Sequence, residues 1–311
     1  MSIESTIPVV HLPDYTEDDP AARVGFIDTL GAGLERFGFV AVTGHGIPAD
    51  TLNDAYSLAR QLFALPASVK AKYETPEDGR QRGYTAFGVE HAKDQELGDL
   101  KEFWHVGRAL GSQHPLTLNG KIPKNRFPEE LPAFGPTFTS LFIEVESFAE
   151  LLLDAIGEYL SLRPGLFHSL TKDGNSVLRV IHYPDLPGGA VPGAVRAAAH
   201  EDINLITILP AATRPGLELL TRDGEWMPVN TPPDVMICDT GDMMALLTEG
   251  RLPATTHRVM NPHDQDGGRL SMPFFMHPHP DRLLRPLHRK DVEPVVASEF
   301  LKQRLRDIGV M

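Results

Sequence analysis

The strongest constraint on the fold is a change of pattern near residue 175. From Val177 onward the apolar segments are short, and turn-forming residues separate them, as in Asp185-Leu-Pro-Gly-Gly189, Arg222-Asp-Gly224 and Asp266-Gly-Gly268. Short apolar runs at this spacing are typical of strands in a two-sheet jelly roll or a barrel. The predicted strands are 177–183, 203–209, 217–220, 226–229, 235–238, 243–247, 255–260 and 269–275.

The segments before this change predict mainly helices. Asp19 can cap a helix with Pro20 in its first turn, and apolar residues recur at helical spacing from Phe26 to Phe37, ahead of Gly38. A strand at 39–42 and the turn Gly44-His45-Gly46 follow. Further helices are predicted at 49–63, at 138–160, where the apolar stripe is longest, and at 298–308, as a C-terminal cover. The chain therefore predicts a mostly β core with flanking helices.

Composition and charge argue against several classes of function. Of the 311 residues, 41% are hydrophobic and 23% charged, which is ordinary for a globular protein. The formal net charge of −13 disfavours nucleic acids and anionic membranes as partners, because both need a basic surface. Cys238 is the only cysteine, so an internal disulfide is excluded, and the N-terminus lacks a signal-peptide pattern. We expect a cytoplasmic protein; the oligomeric state is not predicted.

Three side chains form a candidate metal site. His200 and Asp202 are two residues apart at the entrance to an apolar predicted strand, so both point to one face. His257 lies on a later predicted strand that the sheet could place opposite. Two histidines and a carboxylate on one face of a metal leave other positions open, as in non-haem Fe(II) oxygenases. With 13 histidines in the chain, the His-x-Asp pattern alone is also expected by chance.

Arg269 and Ser271 strengthen the case. They follow His257 and again place two polar groups on one face of an apolar predicted strand. A guanidinium in that setting needs an anion, and its planar fork suits a carboxylate, to which a neighbouring hydroxyl can donate one more hydrogen bond. Arg269 could therefore form a buried salt bridge to an acidic side chain, or it could belong to a binding site for an anionic cosubstrate.

Several motifs in register resemble one family. The chain resembles the isopenicillin N synthase-like branch of the iron(II)/2-oxoglutarate-dependent dioxygenases over most of its length. The motifs are Ile7-Pro-Val-Val10, Phe37-Gly-Phe39, Gly44-His-Gly-Ile-Pro48, Phe63-Ala-Leu-Pro66 with Lys70, Arg82-Gly-Tyr84, Asp99-Leu-Lys-Glu102, Leu178-Arg-Val-Ile-His-Tyr-Pro184, His200-Glu-Asp202, Gly241-Asp-Met243, Thr256-His-Arg-Val259 and Arg269-Leu-Ser271.

The resemblance implies a double-stranded β-helix (jelly roll) with a helical N-terminal region and a C-terminal helix. It implies an N-terminal dioxygenase region at 1–120 and a helical support plus catalytic region at 121–311, with the oxygenase domain at about 174–280. His200, Asp202 and His257 would be the iron ligands and catalytic residues, while Arg269, Ser271 and Tyr183 would bind 2-oxoglutarate. Fe(II), 2-oxoglutarate and O₂ would then oxidise a C–H bond of a small molecule, with release of succinate and CO₂; ascorbate is a further candidate cofactor.

The substrate is not predicted. By position in the family, the candidate pocket residues are Arg82, Tyr84, Phe103, Trp104, Asn204 and Phe275, although the aromatic ones could equally be core. Arg82 would favour an acidic small molecule. His182, where many relatives carry Asn, is given no role, and the pair His277 and His279 is expected in a loop.

Two other functions stay open at this stage. One is a relative that needs no 2-oxoglutarate and draws its electrons from the substrate or from ascorbate. The other is a non-catalytic protein that binds or senses a small anion. A complete set of metal ligands argues against the second, because a simple binder would not need all three.

Overall fold

The computed structural model describes residues 6–90, 98–185, 195–230, 232–260 and 268–307. Its strands form two facing sheets with helices on the outside, which confirms the predicted fold class of a mostly β double-stranded β-helix with flanking helices. The predicted turns at 185–189 and 266–268 and the final residue of the predicted C-terminal helix lie largely outside the described residues. Within the described ranges, no helix is both long and apolar enough to cross a membrane.

The larger sheet has strands from both halves of the chain. Its spatial order is β1-β2-β10-β7-β13-β5-β4-β3, and β12 also pairs with β5. The strands are β1 (Val9–His11), β2 (Phe39–Thr43), β3 (Gly83–Thr85), β4 (Glu102–Gly107), β5 (Val177–Tyr183), β7 (Ile206–Pro210), β10 (Met236–Thr240), β12 (Arg269–Ser271) and β13 (Phe274–Met276).

The smaller sheet faces the larger one and has the order β6-β11-β8-β9. Its strands are β6 (Ala197–His200), β8 (Leu217–Leu220), β9 (Trp226–Pro228) and β11 (His257–Val259), and a separate ribbon pairs β14 (Leu283–Leu284) with β15 (Val295–Val296). An apolar cluster joins the inner faces, with Phe39, Ile181 and Tyr183 from the larger sheet and Leu219 and Val259 from the smaller. This cluster closes one part of the space between the sheets.

Among the described residues nine α-helices flank the sheets; contacts to the larger sheet come from those over residues 20–37, 49–64 and 134–159. The helices are α1 (Pro13–Thr16), α2 (Pro20–Phe37), α3 (Ala49–Ala64), α4 (Ala67–Lys70), α5 (Pro115–Leu118), α6 (Phe134–Tyr159), α7 (Leu166–Thr171), α8 (Asp242–Leu247) and α9 (Ala297–Asp307). As predicted, Asp19 caps α2 by accepting from two backbone amides, and Gly38 ends it with φ 68°. On α6, Phe142 packs edge-on against Phe274 of β13 at 5.1 Å between ring centroids. Each such buried aromatic contributes about 1.5–3 kcal/mol.

A buried polar network ties the N-terminal helices to the sheet. Glu102 on β4 accepts from Lys70 at 2.7 Å, from the Tyr84 hydroxyl at 2.5 Å and from His182 at 2.8 Å. His182 also stacks on Phe63 of α3, at 5.1 Å between ring centroids. Because all the polar groups are satisfied, the network can be buried without a large desolvation cost. His182 is therefore a packed, hydrogen-bonded residue.

The structure corrects three details of the strand prediction. Residues 243–247 are not a strand but most of α8, which begins where the amides of Asp242 and Met243 donate to the carbonyls of Asp202 and Asn204. The predicted strand 269–275 is divided into β12 and β13 at Met272 and Pro273, because proline has no amide for the ladder. Strand β6 was not predicted, since its Ala-Ala-Ala sequence has low strand propensity.

Candidate metal and cosubstrate site

The three predicted metal-binding side chains come together between the sheets. His200 ends β6, His257 begins β11, and the two residues are paired directly in the antiparallel ladder. Asp202 follows two residues after His200, and one donor atom from each of the three side chains lies within 4.8 Å of the others. The Oδ1 atom of Asp202 is 4.0 Å from His200 Nε2 and 3.9 Å from His257 Nε2. These distances are too long for hydrogen bonds and leave room for a cation.

Backbone carbonyls set the orientation of both imidazoles. Nδ1 of His200 lies 2.7 Å from the carbonyl of Ala198, and Nδ1 of His257 lies 3.1 Å from that of Thr255. A carbonyl can only accept, so Nδ1 carries the proton in each ring and the Nε2 lone pairs are directed toward Asp202. Burial, with His257 nearby, lowers the pKa of His200 to about 4, so this ring is neutral near pH 7. Neutral imidazoles with a fixed tautomer are what a divalent metal requires.

Asp202 is positioned by a second layer of polar groups. Its Oδ2 accepts from the hydroxyl of Thr207, which in turn accepts from the side-chain amide of Asn204 at 2.9 Å. Burial and the neighbouring charge of Asp202 raise the pKa of Asp239 well above its ordinary value. A raised pKa favours the neutral form of Asp239 beside the metal-binding carboxylate. The donor set and its support fit Fe(II).

Arg269 offers an unfilled place for an anion in the same cavity. Its side chain is buried, Nε donates to the carbonyl of Arg214 at 3.0 Å, and Nη1 has no hydrogen-bond partner in the described part of the chain. The predicted alternative, a salt bridge to an acidic side chain, is absent from the ion pairs of the described residues. Ser271 is buried on the same face. A buried guanidinium with a free N–H group is costly unless an anion binds it.

A cavity of about 380 Å³ contains both groups of residues. Of the predicted substrate residues, Asn204 and Phe275 line it, whereas Arg82, Tyr84, Phe103 and Trp104 are not among the lining residues. Arg82 donates to Gln81 at 2.6 Å and to Asn175 at 3.1 Å. Tyr84 bonds Glu102, Phe103 belongs to the inter-sheet cluster, and the indole of Trp104 donates to the Arg126 carbonyl at 3.1 Å.

A charged cluster that was not predicted from the sequence also lines the cavity. Lys101 contacts Glu90 at 2.7 Å and Asp99 at 2.8 Å, and Arg179 contacts Glu90 at 3.1 Å and His105 at 2.7 Å. One signal was present in the sequence: Arg179 and Tyr183 are four residues apart on the same strand, so their side chains point to the same face.

His277 lies in a loop, as predicted, but it is buried and lines the cavity. It lies directly after β13. His279, its partner in the predicted pair, is not among the lining residues.

Comparisons with known proteins show which proteins this chain is similar to. Residues 174–278 match the 2OG-Fe(II) oxygenase superfamily, and residues 7–130 match the family described as non-haem dioxygenase in morphine synthesis N-terminal. The 2-oxoglutarate-dependent dioxygenase ucsF of an Acremonium species is 30% identical over 268 residues, which are 79% of this chain and 78% of ucsF. The oxidoreductase hxnY of Emericella nidulans is 27% identical over 287 residues, 90% of this chain and 82% of hxnY.

Solved structures give the same result. A Caulobacter crescentus protein assigned to the 2OG-Fe(II) oxygenase family has 37% identity and a TM-score of 0.86, with 98% of this chain and 99% of that chain covered. A full-length Neurospora crassa protein in complex with alpha-KG and thymine shares the fold at 23% identity and a TM-score of 0.84, with 98% of each chain covered. The chain belongs to the 2OG-Fe(II) oxygenase superfamily. It is therefore an oxidoreductase that depends on Fe(II) and 2-oxoglutarate.

Proposed function

We propose that His200, Asp202 and His257 bind Fe(II), that Arg269, Ser271 and Tyr183 bind 2-oxoglutarate, and that the enzyme oxidises an unactivated C–H bond of a small molecule. The observation that carries the proposal is the free Nη1 of the buried Arg269 in the cavity that contains the three metal-binding side chains. When bound, Fe(II) and 2-oxoglutarate supply the reduction of O₂, coupled to decarboxylation of 2-oxoglutarate to succinate and CO₂.

The residues of the chain hold the charges that this chemistry needs. Fe²⁺ with one carboxylate and two neutral imidazoles would leave one net positive charge, and Arg269 supplies a second. Together they match a dianion such as 2-oxoglutarate. Arg269 would hold the carboxylate far from the metal through its free Nη1, with the Ser271 hydroxyl as an additional donor. Thr207 keeps Asp202 fixed through Oδ2, which leaves Oδ1 directed toward the two Nε2 atoms.

Apolar side chains keep water from the reacting centre. Phe39 packs against His257 at 5.6 Å between ring centroids, and Ile181, Leu217 and Val259 line the same cavity.

We further propose that Asn204 and Phe275 contact the substrate. Structures of the Neurospora crassa protein with thymine and of JOX2 with 2OG, Fe and JA hold small molecules on this fold, which supports a small-molecule substrate.

Finer assignments rest on the sequence motifs. Their order supports placement in the isopenicillin N synthase-like branch, with an N-terminal region at 1–120 and a helical support plus catalytic region at 121–311. The oxygenase domain would span about 174–280. The use of ascorbate stays a prediction.

Anaerobic titration of the Fe(II) protein with 2-oxoglutarate tests the proposal. We expect a weak visible charge-transfer band that saturates at one equivalent, and slow formation of succinate when air is admitted. Glutarate is the control, because it lacks the keto oxygen and should compete for Arg269 without producing the band. The absence of both the band and succinate would contradict the proposed use of 2-oxoglutarate.

A further inference from the structure

A second arginine faces the cavity from the wall that carries the proposed 2-oxoglutarate site. On β5, alternate side chains from Val177 to Tyr183 line the cavity, and Arg179 is among them. Arg269 is opposite Tyr183, whereas the amide of Arg179 donates to the Pro273 carbonyl at 2.8 Å. The four-residue offset along β5 separates the two positions by about 13 Å. The cavity wall therefore has a cosubstrate end at Arg269 and a second polar end at Arg179.

The Arg179 side chain is fixed in place. Its Nε donates to Nε2 of His105 at 2.7 Å, and its Nη1 donates to Glu90 at 3.1 Å. The guanidinium carbon lies 4.3 Å from the centre of the Phe103 ring and 5.2 Å from that of Phe275. Among the described residues none accepts a hydrogen bond from Nη2, and 18% of the side chain is exposed. Arg179 thus presents a preorganised donor to the cavity.

The charge around Arg179 is already balanced. Glu90 contacts both Arg179 and Lys101, and Lys101 contacts Asp99 as well. Two cations face two carboxylates. Burial raises the pKa of Glu90, but Arg179 and Lys101 outweigh it and hold that pKa well below its ordinary value, so the carboxyl stays charged. A ligand carboxylate would add an uncompensated negative charge next to Glu90, whereas a neutral oxygen would not.

His277 supplies an acceptor on the same wall. Its Nδ1 lies 3.2 Å from the carbonyl of Phe275. Because a carbonyl can only accept, Nδ1 carries the proton and Nε2 has a free lone pair. Burial lowers the pKa of His277 to about 4, and the charges of Arg82 and Arg179 also lower it, so the ring is neutral near pH 7. In the described ranges, Nε2 has no hydrogen-bond partner. His277 is two residues from Phe275 on the same face, and both line the cavity.

We propose that Arg179 and His277 determine substrate specificity and select a neutral amide or lactam. Its carbonyl oxygen would accept from Arg179 Nη2, its N–H would donate to His277 Nε2, and its ring would pack on Phe275. A carboxylate lacks the N–H donor that His277 requires. This inference rests on the function proposed above, because it assigns the second end of the same cavity to the substrate.

Three small probes test this inference on the unaltered protein loaded with Fe(II) and 2-oxoglutarate without oxygen. They are 2-pyridone, which has both groups; N-methyl-2-pyridone, which lacks the N–H; and benzoate, a carboxylate of similar size. Binding is measured by equilibrium dialysis. We expect 2-pyridone to bind about tenfold more tightly than the other two, because an unpaired buried acceptor costs about that factor. 3-Methyl-2-pyridone, which keeps the N–H and has the same added methyl, should bind like 2-pyridone.

Two variants assign the effect to these residues. His277→Phe should remove the discrimination between 2-pyridone and its N-methyl form, and Arg179→Gln should weaken both. Two control variants should leave binding unchanged. His279→Phe alters a histidine that is not among the cavity-lining residues. Arg23→Gln alters an arginine that, like Arg179, contacts an aromatic ring and pairs with a glutamate. Equal binding of 2-pyridone and its N-methyl form, no binding of 2-pyridone, or tighter binding of benzoate would overturn the inference. If 2-oxoglutarate still produces its charge-transfer band with the Fe(II) protein, failure of the probe experiment would leave the proposed function intact.

Discussion

Arg269 lies directly opposite Tyr183 in the pairing of β12 with β5, and its guanidinium carbon is 5.1 Å from the centre of the Tyr183 ring. The ladder therefore fixes the position of the guanidinium relative to the rest of the cavity wall. Burial lowers the pKa of Arg269, yet the arginine has no acidic partner among the described residues. Its positive charge is thus available to a ligand.

Replacement of Arg269 by lysine should weaken 2-oxoglutarate specifically. Lysine keeps the charge but cannot reproduce the planar fork, so a charge-assisted hydrogen bond is lost. We expect the KM for 2-oxoglutarate to rise about 10- to 150-fold, while Fe(II) binding is retained. Steady-state succinate assays and a metal titration measure the two quantities. An unchanged KM would show that the cosubstrate lies elsewhere.

Asp202→Ala should abolish stoichiometric Fe(II) binding. The variant removes the only charged donor of the three and leaves two neutral imidazoles. We expect the affinity for Fe(II) to fall more than about 100-fold, beyond the effect of a typical supporting residue. Glu201→Ala is the matched control, because Glu201 is the adjacent exposed carboxylate and accepts from Thr256. Anaerobic metal analysis after gel filtration gives the result, and full retention of iron by Asp202→Ala would refute the assigned site.

Gly241→Ala should disturb the metal site through packing alone. A Cβ at this position would lie 2.8 Å from the Asp202 carbonyl and in closer contact with the carbonyl of Asn204 and its Oδ1 atom. We expect a loss of about 1–3 kcal/mol in the free energy of unfolding, together with weaker Fe(II) binding. Gly25→Ala is the control, because a Cβ in that helix would meet no atom within 4 Å. Urea denaturation with and without Fe(II) separates the two effects; wild-type behaviour in both would contradict the predicted clash.

Glu102→Ala should destabilise the whole chain. It leaves the buried ammonium of Lys70 with only the Phe63 carbonyl, at 3.0 Å, and removes the acceptor of Tyr84 and His182. Loss of one partner of a buried pair costs about 3–5 kcal/mol. Glu299→Ala removes an exposed carboxylate from a pair with Lys302 and should cost under about 1 kcal/mol. Equal urea midpoints for the two variants would show that the buried network contributes little.

Acid should destabilise the protein partly through Glu90. Its folded-state pKa is held well below the ordinary 4.5, so its stabilising contribution is complete above about pH 4.5 and is lost as the pH falls toward the folded-state value. We expect the free energy of unfolding to decline below about pH 4.5. The decline should be shallower in Glu90→Gln, which does not titrate. Parallel pH profiles for the two proteins would contradict this assignment.

The metal site could be predicted because its elements are local. The two-residue spacing of His200 and Asp202 brought both into the candidate site, although Asp202 lies in the loop after β6 and the predicted strand at 203–209 begins only at Ile206. Arg269 and Ser271 do lie on one strand, β12. The pairing of His257 with His200 required the tertiary ladder. The sequence could place His257 on a later strand that the sheet might bring opposite, and the family resemblance then assigned it to the metal.

Residues at the second polar end of the cavity were harder to find. Asp99 and Lys101 directly precede β4, which pairs with β5 across a long stretch of sequence, and the Asp99 amide donates to the Glu90 carbonyl. Nothing local in the sequence indicates that pairing. Helix α8 was mistaken for a strand because Met-Met-Ala-Leu-Leu is a short apolar run in which periodicity cannot separate the two. The helix begins where the amides of Asp242 and Met243 donate to the carbonyls of Asp202 and Asn204, a contact that the local sequence does not indicate.

The larger sheet has a consequence for how this catalytic unit can be inherited. Strand β4 lies between β3 and β5, and β2 lies between β1 and β10, so the N-terminal region supplies hydrogen-bonding neighbours to the catalytic strands on both sides. A gene segment for residues 174–278 alone would encode a sheet whose two edge strands have unpaired backbone N–H and C=O groups, and such edges promote aggregation. Point substitution can therefore change the cavity residues in place, whereas transfer of residues 174–278 alone would leave both flanks of the catalytic strands without their hydrogen-bonding neighbours.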